Sequence, residues 1–262
     1  MDAATFQRQD PVDPSTLRVG TTEDFGLCIV DPEIRRVFSD RVAAIRPLVA
    51  RCEPVTLDLA DADFSFDTLR AESFVAAFAD TYRNAPDTLG PNVRANVEMA
   101  AAITLADRAR AHLDQTRIAR QFARAFEQFD LIIAPTTPVT PFPWTELYAM
   151  RIDGLAMRNY YHWLGLTYVV TLATNPALSL PCGRDEHGMP FGLQLIGRLR
   201  GDAALLGAAR ALESAFEAAP GLRRPRPDLD KLAAPRPALK SIVTHPPMLE
   251  GTPPTAGGLT AV

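Results

Sequence analysis

Between Ile118 and Ala134 the apolar pattern changes period within two residues, and this change limits the possible folds more than any other feature. Ile118, Phe122, Ala125, Phe126 and Phe129 recur at three- and four-residue intervals and make one helical stripe, while Arg117, Arg120, Arg124 and Glu127 occupy other faces. Leu131-Ile132-Ile133-Ala134 then runs unbroken, as a strand buried on both faces does. A one-sided helix feeding a strand that is apolar throughout is satisfied when helices cover a sheet, an α/β layered arrangement. The stripe is expected to face the core.

The rest of the chain reads the same way. Leu17 to Gly20 is a short strand, and Asp31-Pro32-Glu33 supplies an N-cap, a proline suited to the first turn and an acidic residue for the helix dipole. Ile34, Val37, Phe38, Val42, Ile45 and Val49 continue that helix. Glu53-Pro54 is expected to stop it before a strand at Val55 to Leu59, giving a parallel βαβ unit. From about Ala71 to Phe129 the pattern is mostly helical, with loops at Asn84-Ala85-Pro86 and Leu89-Gly90-Pro91. The loop PTTPVTPFPW follows. Two extended segments, Leu178 to Leu180 and Phe191 to Ile196, are joined by a Gly- and Pro-bearing return, and a helix runs from Asp202 to Phe216. The expected class is therefore α/β, a mixed sheet covered by helices. Residues 1–228 form one domain, and the proline-rich segment 229–262, which has few apolar side chains to offset its ordering entropy, is expected to be disordered.

Charge and composition exclude several roles. The formal net charge of -4 argues against a nucleic-acid partner, which needs clustered Lys and Arg on one face. The first residues carry neither a basic nor an apolar leader, and no window approaches the length of a membrane helix, so the expected address is the cytoplasm without a membrane anchor. Cys28, Cys52 and Cys182 form no zinc or disulfide spacing. Neither a Walker loop nor a GxGxxG turn after a strand is present, and no cofactor or metal is expected.

Three segments in order, DLIIAPTTP (130–138), NPALSLPCG (175–183) and GMPFGLQLIGR (188–198), resemble the C-terminal part of the amidase-signature family. The similarity extends back to LRVGTTEDFG and forward to LRRPRP, covering about residues 15–228. It implies the C-terminal portion of that family's α/β/α sandwich, and hydrolysis of an amide C–N bond as the family's reaction, including its branch of glutamyl-tRNA(Gln) amidotransferase A subunits. The resemblance also implies that the serine nucleophile, the second serine in a cis peptide, the neutral lysine and the oxyanion-binding glycines lie in the N-terminal half.

This chain has no counterpart for them. Its only lysines are Lys231 and Lys240, and Ser15, Ser39, Ser65, Ser73, Ser179, Ser214 and Ser241 are isolated from one another. No residue is assigned a catalytic role. Cys182 with His187 is a formal Cys–His pair, to be weighed against a small residue at a strand end and a solvated loop histidine. His112 and His162 lack a second ligand at metal-binding spacing. By resemblance, the stretch before NPALSLPCG borders the acyl pocket, which makes Tyr161, Trp163, Thr167 and Thr171 candidate substrate-lining residues, with Trp144 beside them. Thr136 and Thr137 are candidates because they follow a strand end. Each aromatic could instead fill the core, and each threonine could form a turn.

Two functions compete. One is an amidase represented by its C-terminal half, inactive alone and acting on a small amide substrate once completed by an N-terminal half. The other is a non-catalytic scaffold or binding subunit paired with such a half; a ligand-binding pseudoenzyme is a further variant. On either, the strands Leu131 to Ala134 and Phe191 to Ile196 are expected to lie open along part of their surface and to promote self-association.

Overall fold

The computed structural model describes residues 11–143 and 146–234. Strands β1 (Arg18–Thr21), β2 (Arg51–Pro54), β3 (Leu131–Pro135), β6 (Ala177–Arg184) and β7 (Pro190–Ile196) form a mixed sheet in the order β2-β1-β3-β7-β6. β1 pairs in parallel with both β2 and β3, while β7 is antiparallel to both β3 and β6. β4 (Arg151–Ile152) and β5 (Leu155–Ala156) make a separate small hairpin.

Helix α1 (Pro32–Ile45) starts where its cap residues direct, with the Glu33 N–H donated to Asp31 Oδ1 at 2.8 Å. It ends earlier than the apolar spacing suggests. Pro47 has no N–H to continue the ladder, so the chain passes through a short 3-10 turn at Arg46–Leu48 and is extended by Val49. The following strand is therefore Arg51–Pro54 and not Val55 to Leu59. β2 is a sheet edge on which only Cys52 is buried, so it lacks the apolar run that the interior strands carry.

The helical region comprises α2 (Ala62–Asn84), α3 (Pro91–Met99) and α4 (Leu105–Gln128). α2 begins nine residues before the expected Ala71. The break before α4 comes from a capping box: Thr104 Oγ1 accepts the Asp107 N–H at 3.1 Å, and the Asp107 carboxylate accepts the Thr104 N–H at 2.9 Å. Ile118, Phe122, Ala125, Phe126 and Phe129 are all buried, as their stripe requires. Arg18 clamps the entry to the sheet by donating Nε at 3.1 Å and Nη2 at 2.7 Å to the two oxygens of Asp130.

Helix α5 (Gly165–Ala173) lies on one face of the sheet, where Gln194 Nε2 on β7 donates to the Leu166 carbonyl at 2.8 Å. Helix α6 (Asp202–Ala218) buries Leu205, Ala209, Leu212 and Phe216. An exposed five-residue helix, α7 (Leu229–Ala233), follows, and residues 235–262 of the segment expected to be disordered lie outside the described residues.

The expectation that Leu131 to Ala134 and Phe191 to Ile196 lie open is overturned. β3 is buried at every residue between β1 and β7, and β7 lies between β3 and β6. The hairpin return folds β6 over β7, so the long open edge belongs to β6. No described helix is long and apolar enough to cross a membrane.

Candidate functional site

The antiparallel register of β3, β7 and β6 sets three residues side by side on the α5 face. Thr136 donates its N–H to the Gly192 carbonyl at 3.0 Å, and Ser179 lies opposite Gln194. The hydroxyls of Thr136 and Ser179 meet at 2.8 Å across Gly192. Gly192 permits this contact, because a Cβ there would stand 3.0 Å from each hydroxyl oxygen. Two hydroxyls sharing one hydrogen bond keep one free O–H donor and several free lone pairs, enough to orient an amide-sized polar group. Ser179 is exposed and Thr136 half-buried.

Thr137 beside this pair is exposed and donates to the Val139 carbonyl at 3.2 Å. On α5, Thr167 and Thr171 donate to the carbonyls of Leu164 and Thr167 at 2.9 and 3.2 Å. Each of those hydroxyls still has its acceptor lone pairs. Trp163 donates its indole N–H to the Tyr160 carbonyl at 3.0 Å, and its ring meets Phe142 edge-on at 5.8 Å. Trp144 lies outside the described residues.

Tyr161 turns away from these groups into a polar cluster between α2, α3 and the segment before α5. It is 4% exposed, and its hydroxyl donates to Asp67 Oδ1 at 2.8 Å. Burial first, and the Asp67 carboxylate second, keep that hydroxyl protonated well above the usual tyrosine range. Arg158 joins Asp63 at 3.2 Å and Asp67 at 3.1 Å, so one guanidinium bridges two carboxylates on one helix face. Tyr168 donates its hydroxyl to the other oxygen of Asp63. His162 accepts the Arg158 N–H on Nδ1 at 3.2 Å and places Nε2 3.4 Å from Asp63. Arg70 donates to Asn96 Oδ1 at 3.1 Å and to the Tyr160 hydroxyl at 2.5 Å, over the rings of Phe74 and Tyr161.

Sequence reasoning did not single out Asp63, Asp67, Arg158 or Ser179. Asp63, Asp67 and Arg70 recur at helical spacing on α2, a signal that was legible, but their partners in the segment before α5 lie more than 60 residues away along the chain and could not be read from it.

Among the described residues, no serine hydroxyl has a hydrogen bond to a lysine or histidine. Ser65 is buried and donates to Asp114 Oδ2 at 3.3 Å, while Ser73 and Ser214 donate to carbonyls of their own helices. Lys231 lies exposed on α7, 3.6 Å from Asp228. Cys182 is completely buried, and that burial pushes its thiol up to about 12, so it stays protonated near neutrality. His187 is exposed in the β6–β7 turn beside Glu186, and no hydrogen bond joins it to Cys182. Glu33, Glu186 and His187 converge in the only described group with metal-like spacing. Arg36, 2.7 Å from Glu33 and 3.1 Å from Glu186, already pairs with both of its carboxylates.

Comparison with known proteins places this geometry in a family. The family model described as Amidase matches residues 2–206. The glutamyl-tRNA(Gln) amidotransferase A subunit 2 of Clostridium acetobutylicum is 31% identical over 224 residues, covering 75% of this chain and 45% of that protein. The glutamyl-tRNA(Gln) amidotransferase A subunit of Thermosynechococcus vestitus is 47% identical over 104 residues, or 40% of this chain and 20% of its own length. Among solved structures, a bacterial aryl acylamidase of the amidase-signature enzymes matches with a TM-score of 0.69 at 21% identity, covering 83% of this chain and 46% of the other. That likeness is one of fold. The chain spans about half the length, or less, of the relatives it matches.

Proposed function

The chain belongs to the amidase family, and from that premise we propose that it is the C-terminal half of an amide C–N hydrolase, inactive alone and completed by an N-terminal half. The observation that carries this reading is chemical. Among the described residues, every serine hydroxyl with a hydrogen-bond partner meets a carbonyl, a carboxylate or another hydroxyl, and none meets a lysine or histidine. Amide hydrolysis needs a base within reach of the nucleophile and preorganised donors around the developing oxyanion. Those groups must come from elsewhere.

What this half would supply is scaffold and part of the substrate wall. Thr136 and Thr137 after β3, with Thr167 and Thr171 on α5, offer hydroxyls to a small carboxamide, and Trp163 offers apolar surface. Tyr161, committed to Asp67, would position the segment that carries Trp163. A substrate of glutamine type falls within this class, since several relatives are named as amidotransferase subunits.

The test is hydrolysis of simple carboxamides by the purified chain, alone and co-expressed with the N-terminal half of an amidase. No turnover alone and turnover on co-expression support the reading. Turnover by the repurified chain alone, above a heat-inactivated control, overturns it. A stable complex without turnover favours the second reading, a non-catalytic scaffold that pairs with such a half.

A further inference from the structure

The two edges of the sheet differ in how they are protected against pairing. β2 is guarded: it has four residues, carries Arg51 and Glu53, and ends at Pro54. β6 has eight residues, and from Ala177 to Gly183 not one is charged. From Ala177 to Leu180 that open strand carries neither a charge nor a proline, so this stretch lacks the usual protection against pairing, which begins only at Pro181.

The register shows what the open edge offers. Gly197 donates its N–H to the Pro176 carbonyl at 2.9 Å, which makes that pair the hydrogen-bonded one. Antiparallel pairing alternates, so Leu178 and Leu180 also direct their backbone groups into β7, opposite Leu195 and Leu193. Ala177, Ser179 and Pro181 are the outward positions. The first two present an N–H and a carbonyl each, and Pro181 presents a carbonyl alone. Pro181 thus stands where its missing N–H removes nothing from the ladder to β7. Beyond it, a bulge between Pro181 and Arg184 ends regular pairing. Two outward donors and three outward acceptors are left over five residues. Among the described residues no strand takes them up.

We infer that the outer edge of β6, read at Ala177, Ser179 and Pro181, is the seam along which an extended strand of a complementary amidase half docks and continues the sheet. This rests on the half-enzyme reading above. The occupant follows from length: the chain covers 45% of the Clostridium acetobutylicum relative, so more than half of such a protein lies outside the matched part. The same seam brings that half beside the Thr136 and Ser179 hydroxyls, which lie on the α5 face of the sheet.

The probe is the part of that relative lying outside the matched residues, co-expressed with the full chain. Amide exchange is followed residue by residue. In the chain alone, the Leu178 and Leu180 amides exchange slowly and those of Ala177 and Ser179 exchange fast; in the complex the latter two slow by about tenfold or more. Ala177→Pro removes an outward donor and spares the ladder to β7, so it weakens the complex by about tenfold, one outward hydrogen bond's share, while its Leu178 amide stays protected. Ser179→Ala keeps the N–H and retains the complex. If the complex forms while Ala177 and Ser179 still exchange fast, the seam is elsewhere and the inference is overturned while the half-enzyme reading survives. If no complex forms with the unaltered chain, the half-enzyme reading fails and the inference with it. If the isolated chain is a dimer with both amides already slow, a second copy occupies the edge and the inference is overturned.

Discussion

Tyr161 donates its hydroxyl hydrogen to Asp67 Oδ1 at 2.8 Å, joining the segment before α5 to α2 across 94 residues of sequence. The bond matters because both ends are crowded: the Tyr161 ring packs edge-on against Phe66 at 5.7 Å and Tyr160 at 5.2 Å. Asp67 also holds Arg158, so the pair belongs to a network whose members depend on one another.

Removing the donor and removing the acceptor should therefore differ. In Tyr161→Phe, Asp67 keeps Arg158, and the loss is that of one hydrogen bond, about 1 kcal/mol, or a fall of about 2–4 °C in melting temperature for a chain of this size. Asp67→Ala strands the buried Tyr161 hydroxyl and costs about 2–3 kcal/mol. Thermal unfolding of the two variants and the double variant measures the coupling. An Asp67→Ala chain no less stable than Tyr161→Phe would show that the network carries no shared energy.

What the sequence made legible divides along the same line. The stripe from Ile118 to Phe129, the buried run from Leu131 and the β6–β7 hairpin announce themselves locally, through period, apolar content or turn residues. β2 was misplaced because an edge strand buries one side chain in four and needs no apolar run, and the effect of Pro47 on the preceding helix was outweighed by the apolar spacing through Val49. α5 was not recognised because nearly every residue in it is buried, and only Thr167 and Thr171 on one side mark its period. The small hairpin did carry a local signal in Asp153-Gly154, both at positive φ. The site separates likewise: Thr136 could be found from its place after a strand, but Ser179 becomes notable only once Gly192 brings the two hydroxyls together.

That arrangement can be tested at the glycine. In Gly192→Ala the new methyl would lie 3.0 Å from both Ser179 Oγ and Thr136 Oγ1, tighter than ordinary contact. Relief requires the hydroxyl pair to part, so the expected cost is about 1–3 kcal/mol, typical of overpacking. Ser179→Ala on the same background removes one clashing atom and should restore part of the loss. Urea unfolding of the single and double variants decides; a double variant less stable than Gly192→Ala would show that the strain lies in the backbone and not in the hydroxyl pair.

The last prediction concerns alkali. Burial raises the Cys182 thiol from 9.0 to about 12, and Tyr161 and Tyr168 are shifted in the same direction by burial and by Asp67 and Asp63. A raised folded value means the folded chain holds its proton more tightly than the unfolded one. The contribution of Cys182 is thus fully present below pH 9.0 and is lost as pH rises towards about 12. Within that window, the unfolded thiol has ionised and the folded one has not, so stability falls by about 1.4 kcal/mol per pH unit for one such group. Urea midpoints should be unaffected by this thiol from about pH 7 to 8.5 and drop from about pH 9 to 10.5, with a shallower drop in Cys182→Ala. Iodoacetamide at about pH 8 should label Cys182 only as fast as the chain unfolds, because a completely buried, protonated thiol is neither reachable nor nucleophilic. Labelling of the folded chain at the rate of a free cysteine, abolished in Cys182→Ala, would return this residue to consideration as a nucleophile and with it catalysis by the chain alone.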